Sequence, residues 1–171
     1  MRRTLGIFAV AVMASVGLLM GTGGAATAAT GTSTASRMNA VLEKHPDAVQ
    51  TGKEVITFGN GVQLRLGAAA TGPCPLENLC FWEHDDFLGE LLAIPGGLCK
   101  RGHIFNFDAY DFNDRTSSWE DNSPSFSWYA EVYANYGASG EMIWEMLPTL
   151  AGRSVANRFN DSASSFHCEP F

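Results

Sequence analysis

Trp82-Glu83-His84-Asp85-Asp86-Phe87-Leu88-Gly89 sets an aromatic residue seven positions before a glycine, and Tyr133-Ala134-Asn135-Tyr136-Gly137-Ala138-Ser139-Gly140 repeats that spacing 51 residues later. A ring so placed can cover a folded hairpin, while the glycine supplies backbone angles that a Cβ would forbid. Downstream of each stretch lies a hexapeptide of one pattern, Asn113-Asp114-Arg115-Thr116-Ser117-Ser118 and Asn160-Asp161-Ser162-Ala163-Ser164-Ser165, 47 residues apart. One unit therefore occurs twice. From Cys74 onward, short aromatic-rich runs are separated by Gly, Asn, Asp and Ser turns with no long helical period, so the expected module is all-β.

The hexapeptides supply oxygen. Two acid or amide side chains, a free carbonyl at the third position and hydroxyls at the fifth and sixth make a compact arc of hard ligands, which suits Ca²⁺ better than a softer metal. A polar turn built from the residues that turns prefer is the plainer alternative.

Outward from this repeat, the chain of 171 residues is 46% hydrophobic and 17% charged, enough for one packed domain and too apolar for a disordered tail. Eleven Lys and Arg stand against eighteen Asp and Glu, a formal charge of -7, with no basic run after the first three residues. That balance disfavours a nucleic-acid partner. Met1-Arg2-Arg3, the apolar run from Leu5 to Met20 and the small residues Ala26-Thr27-Ala28-Ala29 read as a secretory signal peptide over residues 1–29. Its removal leaves nine basic and eighteen acidic residues, about -9. The expected product is secreted, extracellular and monomeric, and it lacks any later apolar run long enough to span a membrane.

In an exported protein, an even count of four cysteines, Cys74, Cys80, Cys99 and Cys168, points to two disulfides. Three pairings are possible. Geometry and loop length favour a local Cys74–Cys80 bridge, with Cys99–Cys168 tying the middle of the domain to its C-terminus. A zinc site from Cys99 with His103 and His167 with Cys168 lacks paired Cys-x2-Cys spacing.

Residues 30–73 read as an accessory or pro-segment. Ser36 can cap a short helix carrying Met38, Val41 and Leu42 on one face, and Pro46 ends it. Val55 to Phe58 and Val62 to Leu66 flank Gly59-Asn60-Gly61 as a hairpin. Gly67 to Pro73 is a linker, so the module is placed over residues 74–171. A propeptide, a spacer and an extra hairpin on the domain are all compatible with the accessory segment.

Both repeated motifs resemble those of the βγ-crystallins, whose paired Greek keys carry an aromatic-x6-Gly hairpin and an Asn/Asp-Asn/Asp-x-x-Ser/Thr-Ser calcium motif in each half. The resemblance covers about Cys74 to Cys168 and implies a β-sandwich of two Greek-key motifs, preceded here by the helix and hairpin segment, with two Ca²⁺ sites, each shared across the halves. It implies Asn113, Asp114 and Ser117 as one arc and Asn160, Asp161 and Ser164 as the other, with backbone carbonyls of Arg115, Ser162, Glu83 and Ala134. Arg115 is no obstacle where only its carbonyl is required, although its cation would lower affinity slightly. More narrowly, Cys74-Pro75-x4-Cys80-Phe81-Trp82-Glu83 and Phe112-Asn113-Asp114-Arg115 resemble the bacterial secreted metalloproteinase inhibitors, peptidase inhibitor family thirty-six. That likeness implies a rigid extracellular domain obstructing a secreted protease, a zinc metalloprotease above all.

Other classes fit less well. Glu83, His84, Asp85 and Asp86, or Asp108 with Asp111, could serve as general acid and base, but solvated loop charges are the simpler reading of such clusters. Ser117 and Ser164 lack a nucleophile-elbow setting, so no catalytic residue is assigned. Phe105, Phe107, Tyr110, Phe112, Trp119, Phe126, Trp128 and Tyr129 could dock a glycan or a cell surface in a non-inhibitory, calcium-stabilised binding or toxin-like module. Their alternation points instead to a β core.

Overall fold

The computed structural model describes residues 33–67, 70, 72–124 and 128–171. The signal-peptide reading over residues 1–29, and Phe126 of the aromatic series, lie outside the described residues. Everything described belongs to one compact unit.

Helix α1 (Thr34–Lys44) is capped by Ser33, whose Oγ accepts the Ser36 N–H, so the expected Ser36 cap is corrected to a residue three positions earlier. Its Met38 and Val41 are buried. Strands β1 (Val49–Gly52), β2 (Val55–Thr57) and β3 (Gln63–Arg65) follow, and β2 and β3 form the expected hairpin, with Gly61 at φ 89° in its turn. The first Greek-key half comprises β4 (Asn78–His84), β5 (Leu88–Pro95), β6 (Ile104–Asn106) and β7 (Ser118–Asn122). The second comprises β8 (Trp128–Asn135), β9 (Ser139–Met146), β10 (Ala151–Gly152) and β11 (Ser165–Pro170).

The strands form two antiparallel sheets, ordered β1-β2-β3-β5-β4-β7-β10 and β6-β11-β8-β9. Each half keeps its first, second and fourth strands in one sheet and lends its third to the other: β10 pairs with β7, and β6 pairs with β11. The exchange ties the halves together through backbone hydrogen bonds as well as side-chain packing. Residues 49–65 are continuous with this architecture, because β3 pairs with β5 (Leu64 opposite Leu92) and extends the first sheet.

Between the sheets lies an aromatic core. Phe81 of β4 meets Phe107 at 4.8 Å and Phe166 of β11 at 5.4 Å, and Phe105 stacks on Phe166 at 4.6 Å. Phe105, Phe107, Tyr110 and Phe112 are buried as expected, whereas Trp119, Trp128 and Tyr129 are half-buried. The outer face of the first sheet is also covered: Cys80, Trp82, Leu91 and Ala93 pack under Ala70 and Cys74. Burial on both faces explains why β4 and β5 read as continuous apolar runs rather than alternating ones.

One buried charge lies in β7. Asp121 is 1% exposed, and its Oδ1 accepts from the Ser123 N–H at 3.0 Å and from the Ser123 hydroxyl. Burial pushes its carboxyl up to about 6, outweighing the Ser123 hydrogen bonds. The folded state therefore holds a proton between pH 3.8 and about 6 that the unfolded chain releases. The contribution of this group to stability is full below the ordinary value and is lost as pH rises through 6. Asp121→Asn keeps an acceptor for Ser123 and removes the charge. It is expected to raise stability at pH 7 by about 2 kcal/mol, with little gain at pH 4, in urea unfolding at the two pH values. An equal effect at both would contradict this account.

Candidate metal centre

The two repeats fold alike. Gly89 and Gly140 have φ 82° and 79°, and a Cβ on them would fall 2.9 Å from His84 Cδ2 and 2.4 Å from Asn135 Nδ2 respectively. In both hairpins the register shifts next to the aromatic residue, between Trp82 and His84 and between Tyr133 and Asn135. The last hydroxyl of each hexapeptide locks its hairpin. Ser118 Oγ donates to the His84 carbonyl at 2.6 Å and accepts the Phe87 N–H at 3.1 Å. Ser165 Oγ donates to the Asn135 carbonyl at 2.5 Å and accepts the Ala138 N–H at 2.9 Å. Both serines are fully buried, so the sixth position serves the fold and leaves the fifth to face the arc.

At the fifth position the halves cross. Ser117 Oγ donates to the Glu83 carbonyl at 2.7 Å and lies 3.4 Å from Asp161 Oδ1 of the other half. Ser164 Oγ donates to Asp114 Oδ1 at 3.0 Å. The arcs expected within each hexapeptide thus exchange members: Asp161 joins Ser117 and Glu83, and Asp114 joins Ser164. Backbone bonds hold the exchange, from the Asp114 N–H to the Ala163 carbonyl at 3.0 Å and from the Asp161 N–H to the Thr116 carbonyl at 3.2 Å. Asn113 Nδ2 and Asn160 Nδ2 donate to the neighbouring Asp114 and Asp161 carboxylates at 2.7 and 3.0 Å. Ser162 Oγ donates to the Asn160 carbonyl at 3.2 Å. Ala134 lies next to Tyr133, whose carbonyl accepts the Ser164 N–H at 3.0 Å.

The surroundings of the two arcs differ. The Glu83–Ser117–Asp161 arc opens into a groove also lined by His84, Asp85, Asp86 and Asn157. Beside the other hexapeptide, Asn113 shares a groove with the cations Arg37, Lys44 and Arg115 and with Asp108 and Asp111. Arg115 reaches the Glu83 carboxylate at 2.7 Å and Glu90 at 2.8 Å, while Arg37 of α1 bonds Glu90 and Asp111 and Lys44 bonds Asp111 at 2.7 Å. Burial works upward on Glu83 and Asp111, but these cations outweigh it and hold both carboxyls below their ordinary range. Their stabilisation is present above the unfolded carboxylate values and lost as pH falls through the depressed folded ones. The candidate acid–base clusters are placed as solvated or paired charges: Asp85 and Asp108 are exposed, and Asp86 meets Arg153 at 3.3 Å.

Among the described residues, no three His, Cys, Asp or Glu side chains converge as a metal site. What converges is one carboxylate with a hydroxyl, joined at Glu83 by a carbonyl. These are hard oxygens of the kind Ca²⁺ takes with low carboxylate count, and no thiolate or imidazole is among them. All four cysteines are bridged, Cys74 to Cys80 with Cα atoms 5.8 Å apart and Cys99 to Cys168 with Cα atoms 5.5 Å apart. The Cys/His zinc alternative has no free thiol to use.

Exchanged third strands, serine-locked aromatic hairpins and crossed oxygen arcs define a βγ-crystallin-type domain of two Greek keys. Its sequence places it more narrowly: the profile of Peptidase inhibitor family I36 matches residues 67–167, and the chain belongs to that family. This membership points to an inhibitor rather than an enzyme. Similar solved structures include a domain described under the evolution of the eye lens βγ-crystallin fold, at 18% identity and TM-score 0.48, covering 65% of this chain and 99% of that one. A βγ-crystallin domain from Clostridium beijerinckii matches at 19% identity and TM-score 0.41, covering 53% and 95%. The N-terminal domain of Protein S matches at 21% identity and TM-score 0.40, covering 54% and 96%. No curated protein matches the sequence.

Proposed function

We propose that this chain is a secreted, calcium-stabilised monomer that blocks an extracellular peptidase, with a zinc metallopeptidase as its target. The carrying observation is the family match over residues 67–167, which spans both Greek keys. Two disulfides and a sheet exchange between the halves support the reading, since an inhibitor must stay folded in the presence of its target. Such a protein acts by occupying the substrate cleft with a surface that loses little conformational freedom on binding.

Calcium would be held by the Glu83 carbonyl, Ser117 and Asp161 at one centre and by Asp114 and Ser164 at the other. When bound, it would cross-link the halves electrostatically. The role of this chain's own residues is to bring those oxygens together and to keep Arg115 turned toward Glu83 and Glu90.

The test is a titration of the mature, oxidised protein against a secreted zinc metallopeptidase, with a serine peptidase as control and calcium constant. A stoichiometric break in metallopeptidase activity alone is the expected result. Inhibition of the serine peptidase alone would reassign the target class, and inhibition of neither would leave a non-inhibitory calcium-stabilised binding module as the better reading.

A further inference from the structure

Two turns lie at the end of the first sheet remote from the oxygen arcs. Strand β7 begins at Ser118, beside the arcs, and runs to Asn122, about 13 Å away at the usual rise of a strand. At that far end the Glu77 N–H donates to the Asn122 carbonyl at 2.7 Å, and the Thr149 N–H donates to the Asp121 carbonyl at 2.8 Å. The turns containing Glu77 and Thr149 are therefore tied to consecutive residues of one strand, and each carries exposed leucine.

The first turn is closed by the Cys74–Cys80 disulfide and presents Leu76, 67% exposed. Asn78 Nδ2 donates to the Leu76 carbonyl at 2.9 Å, Asn122 Nδ2 to the Cys74 carbonyl at 2.9 Å, and the Gly96 N–H to the Glu77 carbonyl at 2.8 Å. The second turn, Leu147-Pro148-Thr149-Leu150, closes from the Leu150 N–H to the Leu147 carbonyl at 3.1 Å, and the Asp121 N–H donates to the Leu150 carbonyl at 2.9 Å. Leu147 and Leu150 are 36% and 49% exposed.

Both turns hold a non-glycine residue in the left-handed region, Glu77 at φ 63° and Thr149 at φ 64°. Thr149 is β-branched and occupies the place, after a proline, where a type II turn ordinarily takes glycine. Such strain persists where the surroundings over-determine it, and it concentrates at binding sites. Three leucines are thus held out of the core on braced backbone. The second turn carries no charge in a chain of net charge -7, in contrast to the acidic hairpin at residues 83–86.

We propose that these paired turns are the peptidase-contacting surface, with Leu76, Leu147 and Leu150 entering an apolar substrate-binding cleft. This rests on the inhibitor reading above and adds the surface to it. The bracing gives the geometry a reason: a pre-ordered turn pays less entropy on binding, and a turn held by a disulfide or by cross-strand hydrogen bonds keeps its place even if the target nicks it.

The probes are thermolysin, as a zinc metallopeptidase, and subtilisin, as a serine peptidase, titrated with the mature oxidised chain. Leu76→Asp and Leu150→Asp are each expected to weaken inhibition about 10- to 100-fold without moving the melting temperature, as loss of a buried leucine contact implies. Tyr136→Ser, at an exposed position on the opposite hairpin, is expected to change nothing. Hydrogen exchange of the wild-type complex provides a readout independent of variant folding, with new protection expected over residues 74–80 and 147–151. If the wild type inhibits while the Asp variants inhibit equally well, or the protection falls elsewhere, the surface is wrong and the inhibitor reading stands. If the wild type inhibits neither peptidase, both fall together.

Discussion

Transferring the oxidised domain from 1 mM calcium to excess chelator is expected to lower its melting temperature by roughly 20 °C. A site with a dissociation constant of about 10 µM would stabilise the fold by about 2.7 kcal/mol at that calcium level, and there are two candidate centres. Each kcal/mol moves the midpoint by about 3–4 °C in a domain of this size. Asp161→Ala and Asp114→Ala are each expected to remove about half of the shift, since each takes the carboxylate from one centre. Scanning calorimetry with and without chelator checks the shift, and an unmoved midpoint would dismiss calcium as a structural ligand.

Replacing Cys99 and Cys168 together by alanine is expected to cost about 4 kcal/mol, against about 2 kcal/mol for Cys74 and Cys80. The two bridges close loops of 69 and 6 residues, and in the chain-entropy account the longer loop frees more of the unfolded ensemble when it is opened. All four sulfurs belong to buried residues, so the packing lost is similar and the difference between the pairs reports loop closure. Urea unfolding of the two double variants checks this. Equal losses would show that local packing, rather than the unfolded chain, governs the effect. The distinction matters for function, because Cys74–Cys80 braces the proposed contact turn while Cys99–Cys168 holds the fold. Removing the first should impair inhibition more than stability, and removing the second should do the reverse.

Much of the site was legible in the chain because its signals are short-range. A glycine at a fixed distance from an aromatic residue, as in Trp82 to Gly89, records a left-handed backbone angle that no other residue adopts cheaply. The hexapeptides record a polar arc in the same way, and the spacing of Cys74 and Cys80 records a loop short enough to close on itself. The helix cap lies three residues before Ser36 because Ser33 and Ser36 both offer a hydroxyl, and only the accepted hydrogen bond distinguishes them. The turn at Leu147 to Leu150 carried no sequence signal as a candidate surface. Leucine beside proline reads equally well as core or as tip until burial is known.

The sequence by itself determined that one β unit is repeated, where its hairpins fold back, which oxygens are clustered and which cysteines can bridge. These follow from backbone angles and spacings within a few residues, which the chain carries wherever it goes. Only the tertiary structure decided that the third strands change sheets, that Asp161 faces Ser117 while Asp114 faces Ser164, that β1 to β3 extend the first sheet, and that Arg115 is occupied by Glu83 and Glu90. For the third strands and the two arcs, partners with the same local sequence compete for one position. All four outcomes rest on the packing of residues some 25 to 60 positions apart, which local sequence does not encode.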